Sequence, residues 1–224
     1  MKAIATLALA SVAAIALGGA AFAADLAAPV APVAAAPAPT NWDGAYLGAN
    51  IGYGWGHSDH SDIVTTVGDF DMNGWLVGGQ IGYNFHLTDG VVLGVQGDID
   101  WTNITGTYSL GPTITDTINW EGAVTAHLGF DGGQFMPYIL GGVVVANSTR
   151  TSSIGAASES QNHTGWTVGA GVEGMLADNV SAFVEYRYNN FGTATYSTLP
   201  SAGEPHPGVT LTDSEVRGGL NFHF

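Results

Sequence analysis

Charged side chains that could act together occur near the C-terminal end of the chain. Glu173 and Glu185 flank the short turn "ADN", Arg187 follows two residues later, and Arg217 belongs to the last segment. If these segments are β-strands, the four side chains share one face. Two adjacent carboxylates repel unless an arginine lies between them or one is protonated. The sequence therefore predicts a salt-bridge network of these four residues, acting either as a plug or as a gate.

Three further acidic residues are predicted to point to the same side of the sheet as that network. Asp98 and Asp100 stand two residues apart in "VVLGVQGDIDW", and Glu121 belongs to the next segment. We expect these carboxylates near the outer mouth of a structure built from strands. An acidic mouth favours cations if solutes pass through it.

Residues for catalysis or metal binding are sparse. The seven histidines are scattered, and only His57 and His60, in "HSDHSD", stand close to other ligand types. Histidine and carboxylate groups can bind a transition metal, but this stretch has the composition of a solvated loop. His127 has no serine and acid that spacing assigns to it as a triad. We therefore expect no catalytic residue, no metal site and no cofactor, and do not expect an enzyme.

Alternating sequence patterns predict the elements that carry these residues. The stretch "GAYLGANIGYGWG" alternates small or polar residues with apolar ones, which is the period of a β-strand. Seven more segments follow, and each approaches the 9–11 residues with which a tilted strand crosses a bilayer. The segments are Gly44–Gly56, Gly74–His86, Val91–Thr102, Ile118–Phe130, Met136–Asn147, Thr164–Leu176, Val180–Phe191 and Thr212–Phe224.

The connections between the segments alternate in length. The turns "HLTDG", "DGGQ" and "ADN" are short. The other connections include "HSDIVTTVGDFDMN", "NITGTYSLGPTITD", "STRTSSIGAASESQNH" and "GTATYSTLPSAGEPHPGVTL", which we expect to be mobile and exposed. Short turns at one end and long loops at the other are typical of outer-membrane barrels. The predicted fold is all-β, an eight-stranded antiparallel up-and-down transmembrane β-barrel, closed because an open strand edge in hydrocarbon leaves backbone groups unsatisfied.

Aromatic residues indicate which strand face contacts lipid. Two aromatic rings that bracket an aliphatic band are typical of the interfacial girdles of a membrane barrel. On the apolar face, the group near the long loops is Trp55, Trp75, Trp101, Trp120 and Trp166, and the group near the short turns or the C-terminus is Tyr83, Phe85, Phe130, Tyr138, Phe222 and Phe224. The apolar parity, which includes Ile118, is therefore predicted to face lipid and the polar parity the lumen.

Composition limits the classes of partner. Only 10% of the 224 residues are charged, and four Lys and Arg stand against 19 Asp and Glu, for a net charge of -15. Because binding to phosphate backbones needs clusters of Lys and Arg, nucleic acid is excluded as a partner. Cysteine is absent, which fits an envelope protein without a disulfide scaffold.

Three regions follow one another along the chain. Residues 1–23 combine Lys2, an apolar run and the sequence Ala21-Phe22-Ala23, which predicts a cleaved secretory signal peptide. Residues 24–41 are rich in Ala and Pro and predict an extended periplasmic linker. Residues 42–224 form the predicted barrel, which we expect in the cell outer membrane.

Five stretches of the chain carry a family resemblance. "WDGAYLGANIGYGWG", "GWLVGGQIGYNF", "VVLGVQGDIDW", "GWTVGAGVEGMLADNVSAFVEYRY" and "RGGLNFHF" resemble the outer-membrane immunogenic or RopB-type proteins of alphaproteobacteria, related to the OmpA-like transmembrane domain. The resemblance implies an abundant eight-stranded barrel, often labelled a porin. It also implies that the terminal Phe224 is a signal to the barrel-assembly machinery. Haem binding attributed to some members is not carried over, because no haem-ligand motif is recognisable.

These patterns predict a plugged barrel that contributes to envelope integrity and surface display. The alternative is a narrow cation-preferring porin for small solutes. An outer-membrane enzyme acting on lipid A would need a His–Ser pair on the lipid-facing side, whereas the histidines of the predicted strands have inward parity. Expected partners are outer-membrane lipid, lipopolysaccharide and the assembly machinery.

Overall fold

Eight β-strands make up most of the chain that the structure describes. The structure is a computed structural model, and it describes residues 42–59, 70–88, 90–109, 113–153, 157–194 and 209–224. The predicted signal peptide and linker lie outside these ranges. The strands are β1 (Gly44–Asp59), β2 (Phe70–Thr88), β3 (Val91–Ser109), β4 (Thr113–Phe130), β5 (Phe135–Ser152), β6 (Ala157–Ala177), β7 (Val180–Ala194) and β8 (Val209–His223).

The strands pair in chain order and close into an antiparallel barrel. β8 pairs back onto β1, from Tyr46 opposite His223 to Asp59 opposite Thr210. Closure gives every strand two neighbours, so no strand edge is left open. The predicted eight-stranded barrel is confirmed. Within the described ranges, no helix has the length and apolar character needed to span a membrane.

The two ends of the barrel differ in their connections. β2–β3, β4–β5 and β6–β7 are joined by short turns, and Gly90 and Gly133 in two of them have φ values of 85° and 80°, a conformation that glycine adopts without strain. We name this the periplasmic end and the opposite one the outer end, because outer-membrane barrels have short periplasmic turns and longer extracellular loops.

Two of the predicted long loops are largely strand. β3 and β4 continue to Ser109 and from Thr113, and β5 and β6 continue to Ser152 and from Ala157. Cross-strand hydroxyl pairs line these hairpins, such as Thr105 with Thr117, 3.3 Å apart. Threonine favours strands and pairs well across them, so a Thr-rich stretch that reads as a loop continues the sheet. The prediction of loops over residues 103–116 and 148–163 was therefore wrong for most of both stretches.

The apolar strand face points outward, toward lipid. Side chains such as Ile51, Ile81 and Val124 are exposed on the barrel surface, with exposed fractions of 65%, 63% and 70%. Large apolar side chains are exposed in this way over the outer face of all eight strands, and so large an apolar surface is suited to an apolar solvent, which agrees with a membrane barrel. The opposite parity is buried in the lumen and holds the buried charged residues.

Two residues depart from the predicted parity. Ile118 is fully buried in the lumen, because Asn119 is an extra residue in β4 relative to β5 and shifts the alternation by one position. Tyr138, assigned to the lipid-facing girdle, points inward, and its hydroxyl donates to Glu185 Oε2 at 2.8 Å. A tyrosine suits either face, because its ring is apolar and its hydroxyl finds partners in a polar lumen.

Candidate functional site

Apolar side chains fill both ends of the lumen. The outer apolar cluster consists of Met72, Ile104, Ile118, Ala123, Val144, Ala146, Phe191 and Leu211, and the periplasmic apolar cluster of Trp42, Val92, Met136 and Met175. Trp42, just before β1, anchors the second cluster because its indole N–H donates to the Gly133 carbonyl at 3.0 Å. Arg187 and Arg217 of the last two strands lie between Phe191 and Leu211 of the outer cluster and the periplasmic end, together with the acids that they contact. They form the candidate site.

The last two strands set the order of the charged layers. From the outer end, the inward positions of β8 are Leu211, Asp213, Glu215 and Arg217, so acids precede the arginine. The register places Glu185 of β7 opposite Arg217, and Arg187 opposite Glu215. Side chains of one parity point to one face. The β7–β8 ladder therefore stacks these charges along one wall of the lumen.

Two arginines and three carboxylates form an arginine layer. Arg187 contacts Glu185 through Nε and lies 3.0 Å from Asp98 through Nη2. Arg217 lies 2.8 Å from Asp100 and 3.5 Å from Asp98. All five side chains are at most 3% exposed. Each guanidinium therefore meets two carboxylates away from water, where the loss of one partner leaves an uncompensated charge.

Glycines on the neighbouring strands β1 and β2 make room for this layer. A Cβ atom at Gly78 would lie 2.1 Å from Asp100 Oδ1, and one at Gly52 would lie 3.1 Å from Arg217 Cγ. Each Cβ would also meet a backbone carbonyl oxygen, that of Ile99 at 2.2 Å from Gly78 and that of Val216 at 2.6 Å from Gly52, so strand packing together with the charged side chains favours glycine at these positions. The glycine-rich motifs of β1 and β2 thus have a packing role.

The predicted network is brought together only in part. Glu185, Arg187 and Arg217 lie in the arginine layer, as described above, but Glu173 does not. Glu173 lies opposite Phe183 rather than Glu185, because the register shifts between Met175 and Ala177. The place expected for Glu173 is taken by Asp98 and Asp100.

Glu173 belongs to a separate hydrogen-bonded group toward the periplasmic end. Its Oε1 accepts hydrogen bonds from the Ser181 hydroxyl and, at 2.7 Å, from Asn221. Ser181 also lies 2.9 Å from His223 Nε2. In a catalytic triad the acid bonds the histidine nitrogen opposite the serine, whereas Glu173 approaches the same Nε2, at 3.4 Å. This Ser–His–Glu group is therefore a set of buried, hydrogen-bonded side chains and lacks triad geometry.

The expected acidic outer mouth is not formed by the three predicted residues. Asp98 and Asp100 are held inside the arginine layer. Glu121, only 3% exposed, lies with Asp213 and Glu215 in a buried group. Strand parity gave their inward direction correctly, but their partners come from strands across the barrel.

A second serine–histidine pair lies toward the outer end. Ser148 Oγ and His163 Nε2 are 3.0 Å apart, and both residues are buried inside the barrel. The nearby pair Arg150 and Asp116 is also buried, with Arg150 Nε 2.7 Å from Asp116 Oδ1. The His–Ser pair thus lies in the lumen and not on the lipid-facing side, where an enzyme acting on lipid A would need it. Of the two histidines in "HSDHSD", His57 contacts Asp71, and His60 lies outside the described residues.

The girdle tryptophans and the C-terminus occupy the outer surface. Trp55, Trp75, Trp101 and Trp166 are exposed on the lipid-facing parity, and Trp120 is half-buried there opposite Trp101. The second group, Tyr83, Phe85, Phe130 and Phe222, is also exposed. The backbone amide of Phe224 donates to the Ala45 carbonyl at 3.0 Å. The residue itself is 77% exposed.

Comparison with known proteins agrees with this architecture. The 25 kDa outer-membrane immunogenic protein of Brucella abortus is 33% identical over the whole of both chains, and that of Brucella melitensis is 36% identical over the same extent. The 22 kDa outer membrane protein of Rhizobium leguminosarum is 30% identical over 70% of this chain and 67% of the relative. Among solved structures, Neisserial surface protein A aligns with a TM-score of 0.48 and 16% identity, covering 80% of this chain and 97% of the other. Residues 12–224 match the outer membrane protein beta-barrel domain, and the chain belongs to that family of outer-membrane proteins.

Proposed function

We propose that the protein is a closed outer-membrane barrel that contributes to envelope integrity and displays its outer end at the cell surface. The observation that carries this proposal is the filled lumen. Apolar clusters occupy both of its ends, and paired charges lie between them. An eight-stranded barrel encloses an interior about wide enough for side chains alone. A barrel filled in this way serves as an anchor in the membrane.

The outer hairpins support the display part of the proposal. β3–β4 and β5–β6 extend toward the outer end as regular ladders, with hydroxyl pairs such as Thr107 with Thr115 and Thr149 with Ser160. Regular pairing holds such hairpins upright more firmly than a loop would. The name of the Brucella relatives, outer-membrane immunogenic proteins, fits a surface that is accessible from outside.

The charge distribution defines how the barrel would meet lipopolysaccharide. Apart from Lys2, the cations of the chain are Arg150, Arg187 and Arg217, and all three are buried within the barrel. No lysine or arginine of the barrel is therefore available to lipid phosphates. We infer that lipopolysaccharide is contacted through its acyl chains on the aromatic and aliphatic outer face. The exposed Phe224 is the element we assign to the assembly machinery.

A deletion strain tests the proposal. Loss of the gene is expected to sensitise cells to detergent, and the wild-type gene is expected to restore resistance. A variant that lacks residues 195–208, within the predicted long loop between β7 and β8, should restore resistance while losing antibody binding to that segment on intact cells. If the deletion strain instead showed normal detergent resistance and reduced uptake of small cations, the narrow porin would be the better description.

A further inference from the structure

Three acidic side chains meet inside the barrel above the arginine layer. Glu121 comes from β4, and Asp213 and Glu215 come from β8. Each offers one oxygen, and these oxygens lie within 4.8 Å of one another. The residues are 3%, 2% and 0% exposed. Since β4 and β8 are not neighbours in the barrel, the carboxylate cluster, as we name these three residues, spans the lumen.

The arginines do not balance the charge of this cluster. Arg187 and Arg217 each have their ion pairs with Asp98, Asp100 or Glu185. Within the part of the chain that the structure describes, no salt bridge reaches the carboxylate cluster. Four of its oxygens are buried without a hydrogen-bond partner there, namely Glu121 Oε2, Asp213 Oδ1, Asp213 Oδ2 and Glu215 Oε2. Buried carboxylates without partners are costly, so the cluster requires a positively charged partner or protons.

Asn189 adds a neutral ligand at the same place. It lies opposite Asp213 in the β7–β8 register, is 2% exposed, and donates from Nδ2 to Glu215 Oε1 at 3.0 Å. Its carbonyl oxygen Oδ1 is buried without a hydrogen-bond partner among the described residues. Amide carbonyl and carboxylate oxygens are the ligands that calcium prefers in proteins. Asn189 is therefore in contact with the cluster and adds a buried, unpartnered carbonyl oxygen beside it.

We propose that the carboxylate cluster, with Asn189, is a binding site for one divalent cation, and that Ca²⁺ is the ion that fits it. All the donors are oxygens, and no histidine or sulfur ligand belongs to the set, which favours a hard cation over a transition metal. Ca²⁺ accepts irregular geometry from protein ligands, whereas Mg²⁺ usually keeps several waters. The residues of the outer apolar cluster lie beside the site, as Ala146 pairs with Glu121 and Leu211 precedes Asp213 by two positions.

The proposed ion would be structural and enclosed. It would link β4 to β8 across the lumen and neutralise the layer of charge that the arginines leave unmatched. Because the outer apolar cluster lies toward the outer end, we expect the ion to enter during folding and to exchange slowly from the finished barrel. A ligand that binds only the folded state stabilises it in proportion to its concentration and affinity.

Metal analysis of the purified protein tests the proposal. The full gene is expressed with its own leader, and the barrel is extracted from outer membranes in detergent and desalted in the presence of a weak chelator. Elemental analysis should find about one Ca²⁺ per chain. Refolding from urea with Ca²⁺ should give a higher melting temperature than refolding with a strong chelator.

Three isosteric variants distinguish the cluster from other buried acids. Asp213→Asn and Glu215→Gln are expected to abolish the retained Ca²⁺ and the Ca²⁺-dependent gain in melting temperature. Glu173→Gln is the matched control, because Glu173 is equally buried but has Ser181 and Asn221 as partners, and it should retain the ion.

A second measurement keeps the proposal testable if a variant loses Ca²⁺ only because it does not fold correctly. In strong chelator, Asp213→Asn should be at least as stable as the wild type, because it removes repulsion from the unfilled cluster. A folded wild-type barrel without Ca²⁺, and with the same melting temperature in Ca²⁺ and in chelator, would overturn the proposal and assign the neutralisation to protons. Equal loss of Ca²⁺ in Glu173→Gln would also overturn it.

Discussion

The arginine layer and the carboxylate cluster are adjacent in one lumen, yet their charges are arranged differently. In the arginine layer Arg217 lies 2.8 Å from Asp100, and each arginine contacts two acids. In the carboxylate cluster Glu121, Asp213 and Glu215 gather without a salt bridge to any basic residue of the described chain. Burial is similar in both, so burial alone does not set the energetics. What differs is whether each buried charge has a counter-charge supplied by the chain itself.

The largest effect is expected from removing one arginine of the matched layer. Arg217→Ala leaves Asp98 and Asp100 buried with less compensation, and should lower the free energy of unfolding by about 3–5 kcal/mol. Urea unfolding in detergent micelles measures this loss. Arg217→Lys, which keeps the charge but not the planar fork, should lose less. A loss as small as that of an exposed ion pair, about 1 kcal/mol or below, would contradict the matched layer.

Removal of a large apolar side chain from the outer cluster is expected to come next. Phe191 is 1% exposed in the lumen, and Phe191→Ala leaves a void, for a loss of about 3 kcal/mol. The control is Phe130→Ala, because Phe130 is 61% exposed on the lipid-facing side and its truncation leaves no void in the lumen. Equal losses for the two variants in the same urea titration would show that the outer apolar cluster is not tightly packed.

Neutralising one acid should destabilise the barrel in the arginine layer but not in the carboxylate cluster. Asp100→Asn removes a charged partner of Arg217 and should destabilise the barrel by about 1.5–3 kcal/mol. Asp213→Asn, measured in strong chelator, should leave the stability unchanged or raise it, because it removes a negative charge from an unmatched group. Thermal unfolding of the two variants side by side gives both effects. Destabilisation by both would remove the distinction between the layers.

The smallest effect is expected outside the lumen, in the outer hairpins. Thr107 and Thr115 form an exposed hydroxyl pair across β3 and β4. Thr107→Ala should cost about 0.2–1 kcal/mol and should leave both charged layers intact. Chemical denaturation measures the cost, and a loss comparable to that of Arg217→Ala would show that these hairpins contribute more to stability than the lumen does.

Much of the fold follows from alternation along the strands, and the errors have local causes. The alternation assigned Trp101 to the apolar face of its strand and Arg217 to the polar face of its own. The structure places Trp101 on the lipid-facing surface and Arg217 in the lumen. Ile118 was assigned to the wrong face because the bulge at Asn119 has no signature in the alternation. The extension of β3 to Ser109 was missed because Thr-rich strands that stand outside the membrane lack the apolar face of the membrane segments.

The composition of the charged layers was harder to predict than the direction of their side chains. Parity indicated that Asp98, Glu121 and Glu215 point inward. Their partners depend on how far each strand is shifted against its neighbours around the whole ring, and a shift such as that between Met175 and Ala177 moves Glu173 out of the predicted network. The Arg217–Asp100 contact joins residues 117 positions apart, a separation that no local pattern encodes.

The central claim is that the lumen is closed, and single-channel recording tests it most directly. The purified barrel is inserted into a planar bilayer, and its folded state is verified on the same preparation. We predict a silent membrane for the wild-type protein over a range of salt concentrations and pH. Steady cation-selective openings from demonstrably folded protein would contradict the closed lumen and make the carboxylates a permeation path.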